Sequence, residues 1–144
     1  MEAMVFICMV CIWSLGWQVS RIQKTVDQIL ENQNAGDENQ NADNAYSTCR
    51  ARARKHLGRG QLSEAVLDLT EAIRLKPDHA EAYNQRGLVY RRLEKYAEAI
   101  EDYTEAIRIV PDFRDAYVNR GTAYEKQGDQ AKADADDARA KELA

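Results

Sequence analysis

The block Thr70-Glu71-Ala72-Ile73-Arg74-Leu75-Lys76-Pro77 returns thirty-four residues later as Thr104-Glu105-Ala106-Ile107-Arg108-Ile109-Val110-Pro111. The same offset joins Tyr83 to Tyr117, Gly87 to Gly121 and Tyr90 to Tyr124. It also sets Ala65, Ala99 and Ala133 in one series and Ala72, Ala106 and Ala140 in another. A fixed period of this length means one supersecondary piece stacked on copies of itself, because a lone copy cannot bury its apolar face. The last two thirds of the chain are therefore expected to form a single stacked array.

Within residues 80–113, Tyr83, Gly87 and Tyr90 recur at helical spacing, and a turn follows around Leu93–Lys95. Tyr96, Ala99, Ile100, Tyr103, Ala106 and Ile107 mark a second amphipathic helix, which Pro111 ends. Small residues at 87 and 99 predict the place where the two antiparallel helices approach most closely, with the rings of Tyr90 and Tyr103 filling the space on either side.

This pattern resembles the tetratricopeptide repeat, a 34-residue helix–turn–helix with small residues at repeat positions 8, 20 and 27 and proline at 32. The resemblance covers 99 of the 144 residues and divides them into unit one (46–79), unit two (80–113) and a shorter unit three (114–144). It implies an all-α fold, an antiparallel helix–turn–helix array of the α-solenoid type. Unit one has Cys49, Ala53 and His56 where unit two has Tyr83, Gly87 and Tyr90, so its first helix is expected to form a weaker core. Unit three has Asp134, Asp137 and Lys141 in place of Ile100, Tyr103 and Ile107, which predicts a last helix that serves as a polar cap.

Residues 1–45 are a different kind of chain. Ala3 to Ser20 is an uncharged stretch of eighteen residues, about 27 Å long as a helix, and predicts one N-terminal transmembrane helix (residues 1–20). Trp13 and Trp17 sit toward its Arg21 end, as interfacial anchors do. A cleaved signal peptide fits less well, since Glu2 stands where a positive n-region belongs. Arg21 and Lys24 both follow the stretch, so the positive-inside rule expects a single-pass membrane protein with its repeats in the cytoplasm. Val19, Ile22, Val26 and Ile29 predict a juxtamembrane amphipathic helix over 21–30, with a weak homodimer through residues 3–30 as the self-association it allows. Residues 31–45 hold five Asn and only Ala as apolar content, which predicts a flexible tether.

Charge and composition exclude several functions. Residues 46–144 carry eighteen basic and eighteen acidic side chains, so the net charge of −4 comes from the first forty-five residues. A neutral array argues against general nucleic-acid binding. His56 and His79 have no ligand-spaced companions, Cys8 and Cys11 lie in the apolar stretch, and Cys49 reads as a small buried hydrophobe. Gly58-Arg59-Gly60 lacks the strand a phosphate loop follows. No catalytic residue, metal, cofactor or small-molecule substrate is expected, and a protein or peptide partner is.

The resemblance implies that the first helix of each unit lines a concave groove through positions 2, 5, 9 and 12, with position 6 at the edge. Here these positions hold Ser47, Arg50, Arg54 and Leu57; Glu81, Asn84, Leu88 and Arg91; and Asp115, Val118, Thr122 and Glu125, with Gln85 and Asn119 beside them. The expected site is Arg50, Arg54, Asn84, Gln85, Leu88, Arg91, Val118, Asn119 and Thr122. Its basic end is formed by Arg50, Arg54 and Arg91, and its acidic end by Asp115 and Glu125. Asn84, Gln85 and Asn119 are expected to bond an extended backbone. The family's best-known groove is a clamp for a chaperone's C-terminal carboxylate. Arg50, Arg54 and Gln85 fit that clamp in part, whereas Asp115 and Asn119 replace its third-unit basic pair.

Overall fold

The computed structural model describes residues 20–32 and 40–144. Its six helices are α1 (Glu2–Gly58), α2 (Leu62–Leu75), α3 (Ala80–Arg92), α4 (Tyr96–Ile109), α5 (Arg114–Gln127) and α6 (Gln130–Glu142). The chain forms two compact bodies, Met1–Asn41 and Ala42–Ala144. The second is the all-helical array. In it α3 packs on α4, α5 on α6, α2 on α3 and α4 on α5, as a stack of helix pairs requires.

Alanine builds this core. Both period-34 series, Ala65–Ala99–Ala133 and Ala72–Ala106–Ala140, are buried, together with Ala53, Ala82, Ala116 and Ala123. Small side chains let the helices approach closely, and larger groups fill the gaps between them. Leu69 and Val89 pack around Ala53 and Ala65, while Tyr103 packs around Ala99 and Ala123. Gly87 is glycine because a Cβ there would lie 2.6 Å from Tyr103 Cε1. In unit three the facing residue is Asp137, and Gly121 has more room. Asp134, Asp137 and Lys141 all face solvent on α6.

The turn inside each unit uses one left-handed residue at the same repeat position: Gly60 (φ 73°), Glu94 (φ 60°) and Gly128 (φ 84°). Glycine takes this conformation freely, whereas Glu94 is strained by its Cβ. Helices α2 and α4 stop two residues before Pro77 and Pro111, as the restricted backbone before proline dictates.

At the N-terminal side one expectation changes and one falls outside the described residues. The tether predicted over 31–45 is helix, not coil, at its described residues 31–32 and 40–45, all within α1. Tertiary contacts override the weak propensity at residues 42–45, where Asp43 pairs with Lys76 and the neighbouring Tyr46 is buried, and within the helix the Asn44 carbonyl accepts from Thr48 Oγ1. The expected span Ala3–Ser20 lies outside the described residues except for Ser20. Among the described residues no helix is long and apolar enough to cross a membrane. In the Met1–Asn41 body, Ile22, Val26, Ile29 and Leu30 are all exposed.

Candidate binding groove

The first helices of the three units are bridged by side chains set thirty-five residues apart. Arg50 Nε donates to Gln85 Oε1 at 3.4 Å, and Asn119 Nδ2 donates to Asn84 Oδ1 at 3.0 Å. In both bridges position 5 of one unit meets position 6 of the next. Three amides expected to face a ligand backbone thus spend part of their capacity on each other and on Arg50. Gln85 also donates to Glu81 Oε1 at 2.9 Å, and Asn84 is buried. Arg50 is held on every side, with Glu81 Oε1 at 3.9 Å and its guanidinium 5.5 Å from the Tyr46 ring centre.

Next to these bridges a cavity of about 200 Å³ opens between α1 and α3. Its apolar floor is Ala53, Leu57, Leu88 and Val89, and Gln85, Arg54 and Arg92 rim it. Arg54 and Arg92 are exposed, and neither makes an ion pair or a hydrogen bond among the described residues. Of the expected site residues, Arg54, Gln85 and Leu88 meet at this cavity. Arg91 does not line it. It is half-buried, and its charge pulls the Tyr103 hydroxyl down against burial. Arg92, one residue further on, takes the rim position. On α5, Val118 is 37% exposed, Thr122 Oγ1 donates to the Val118 carbonyl, and Asn119 reaches α3. Asp115 is exposed, with Arg114 Nη1 at 4.0 Å as its ion pair, and Glu125 is exposed as well.

A second set of polar contacts escaped the sequence reading. Arg52, Arg86 and Arg120 bond Asp68, Asp102 and Asp136 at 2.6, 2.7 and 2.7 Å, each tying the first helix of a unit to its second. Arg86 Nη1 also donates to Thr70 Oγ1 of the preceding unit at 3.1 Å, and Arg120 Nη1 donates to Thr104 Oγ1 at 3.0 Å. The Arg86 guanidinium lies 5.9 Å from the ring centres of both Tyr83 and Tyr90, and Arg120 lies between Tyr117 and Tyr124 in the same way. The Asp102 bonds hold Arg86 further toward its charged form. Burial raises the Asp102 carboxyl, and the Arg86 bonds pull it back. These shifts oppose each other for one pair, and the two short bonds to separate carboxylate oxygens decide for the ionised state. The signal was present in the sequence, since each Arg and each Asp recurs at the period of the repeat.

In unit one Cys49 and His56 replace the two tyrosines. Arg52 Nε and Nη2 both bond Asp68 Oδ1, at 3.0 and 2.6 Å, and His56 Nε2 stands 3.7 Å from Oδ2. Among the described residues no group of His, Cys, Asp and Glu is arranged to hold a metal ion.

Two family models match the chain. One, described as TPR repeat, matches residues 55–93 and 87–128, and one described as Tetratricopeptide repeat matches residues 115–144. The second TPR of Spaghetti (RPAP3), solved bound to the HSP90 peptide SRMEEVD, is 26% identical with a TM-score of 0.70 over 75% of this chain and 99% of that one. The TPR2B domain of yeast Sti1, in a complex with pHsp70, is 26% identical with a TM-score of 0.67, covering 69% and 79%. The Arabidopsis OM64 TPR domain is 29% identical with a TM-score of 0.69, covering 71% and 84%. Among curated proteins no match is found.

Proposed function

We propose that this chain, which belongs to the tetratricopeptide repeat family, is an adaptor that holds a segment of a partner protein in the groove walled by α1, α3 and α5. The observation that carries this reading is the apolar cavity between α1 and α3, rimmed by Arg54 and Arg92, which lack partners within the array. Unpaired cations beside an apolar floor suit a side chain that brings both a hydrocarbon body and a nearby carboxylate. Two structural neighbours hold protein partners, one the HSP90 peptide SRMEEVD, in which apolar residues stand beside acidic ones, and one pHsp70. The role is binding, not catalysis.

The adaptor works at a membrane in this reading. The apolar run Ala3–Ser20 supports an anchor, and Arg21 with Lys24 supports a cytoplasmic array. Anchoring raises the local concentration of the partner, so a moderate affinity suffices. A homodimer through residues 3–30 is a second reading, favoured by the exposed stripe Ile22, Val26 and Ile29.

A photo-crosslinking residue placed at Leu88 in the groove is expected to label a discrete partner in cells. The same residue at Leu67, which is 70% exposed on α2, is expected not to. Arg54→Glu with Arg92→Glu should abolish the Leu88 adduct while leaving helix content unchanged by circular dichroism. Equal labelling from both positions would move the binding surface out of the groove.

A further inference from the structure

The groove is charged differently at its two ends, and this specifies its occupant more closely than the cavity does. On α5, Asp115, Val118, Thr122 and Glu125 follow one another at spacings of three, four and three, which places them on one face of the helix. Asn119 lies beside that stripe and bonds Asn84 of α3, so the stripe borders the same groove. Asp115 is 71% exposed at its side chain, and the Glu125 side chain makes no hydrogen bond or ion pair among the described residues. Unpaired positive charge (Arg54, Arg92) therefore stands at the α1–α3 end, and available negative charge at the α5 end.

We infer that the occupant is a bipolar segment of a protein. An apolar residue next to an acidic one seats at the α1–α3 cavity, and a basic residue lies over the acidic stripe of α5, at Glu125 or, about 15 Å along the helix, at Asp115. Packed helices stand about 8–10 Å apart, so α1 and α5 are separated by roughly 20 Å. An extended chain covers that distance in about six residues, which sets the spacing between the acidic and the basic side chain. A wholly acidic segment meets like charge at α5 and is rejected there. The inference rests on the groove reading above and adds the charge order of the ligand to it.

Selection of a random peptide library on the purified full chain tests the inference. The wild-type chain is expected to enrich peptides with an apolar–acidic pair and a basic residue about six positions away. Arg54→Glu with Arg92→Glu should lose the acidic preference. Asp115→Lys with Glu125→Lys should lose the basic one and shift selection to acidic peptides that carry no basic residue. For an enriched bipolar peptide each double reversal should weaken binding by about tenfold, with helix content checked by circular dichroism. Wholly acidic peptides winning on the wild-type chain, or an unchanged preference in the Asp115→Lys, Glu125→Lys variant, would overturn the bipolar occupant and leave the groove standing. An enriched set indifferent to all four reversals, or no enrichment at all, would remove the groove reading as well.

Discussion

In unit two the Arg86 guanidinium bonds both oxygens of Asp102 and lies between two tyrosine rings. In unit one Arg52 crowds a single oxygen of Asp68, with Cys49 and His56 where the rings would be. Exposure follows the same division: the Arg86 side chain is 18% exposed and the Arg52 side chain 55%. The same pair of residue types at the same spacing thus makes a buried tie in one unit and a half-solvated one in the next. What separates them is the cover that the neighbouring side chains supply. Electrostatic worth in a repeat is set by that cover more than by the charges themselves.

Removing the arginine from each unit measures the difference. Arg86→Ala leaves the Asp102 carboxylate buried and unpaired, and is expected to cost about 3–5 kcal/mol in chemical denaturation. Arg52→Ala removes a guanidinium that is 55% exposed and is expected to cost clearly less in the same measurement. Equal losses would mean that the tyrosine cover contributes nothing. A smaller effect, of opposite sign, lies in the turns. Unit one has Gly60 where unit two strains Glu94, so Glu94→Gly should raise stability by about 1 kcal/mol.

The third contrast appears at high pH. Unit two buries Tyr103 where unit one has Leu69, and burial raises the Tyr103 phenol from 10 to about 12. The folded state then holds this proton more tightly than the unfolded chain does. Its stability is complete below pH 10 and falls as the pH rises from 10 to about 12. Tyr103→Phe should flatten that fall. At neutral pH it should change stability least of these variants, because the hydroxyl lost has no hydrogen-bond partner among the described residues. An unaltered alkaline slope in Tyr103→Phe would assign the loss to another group.

Much of this fold was legible because the repeat checks itself. Gly87 and Ala99 each had a small counterpart at fixed distance, and their sizes pointed to the helix crossing that the structure contains. Two kinds of feature were not legible. A pattern of apolar residues does not say which charged residues have partners, so Arg52, Arg86 and Arg120 looked like any solvated arginine. Helix boundaries set by distant contacts were hidden too: residues 40–45 read as coil by composition, and Asp43 with Tyr46 ties them to the array. The resemblance pointed to Arg54, Gln85 and Leu88, which line the cavity, and to Arg91, beside which Arg92 takes the rim. Its amide pairs were missed because they depend on how neighbouring units are offset.

The threonine contacts give the array a direction. Arg86 leans back on Thr70, and Arg120 leans back on Thr104, while each threonine waits on the unit made earlier. A chain leaving the ribosome from its N-terminus therefore presents each threonine before the arginine that bonds it. Loss of unit three strands no arginine of the units before it, whereas loss of unit one would leave Arg86 reaching for a hydroxyl that is gone. Assembly and damage are asymmetric along this chain, although the repeat that builds it is the same from end to end.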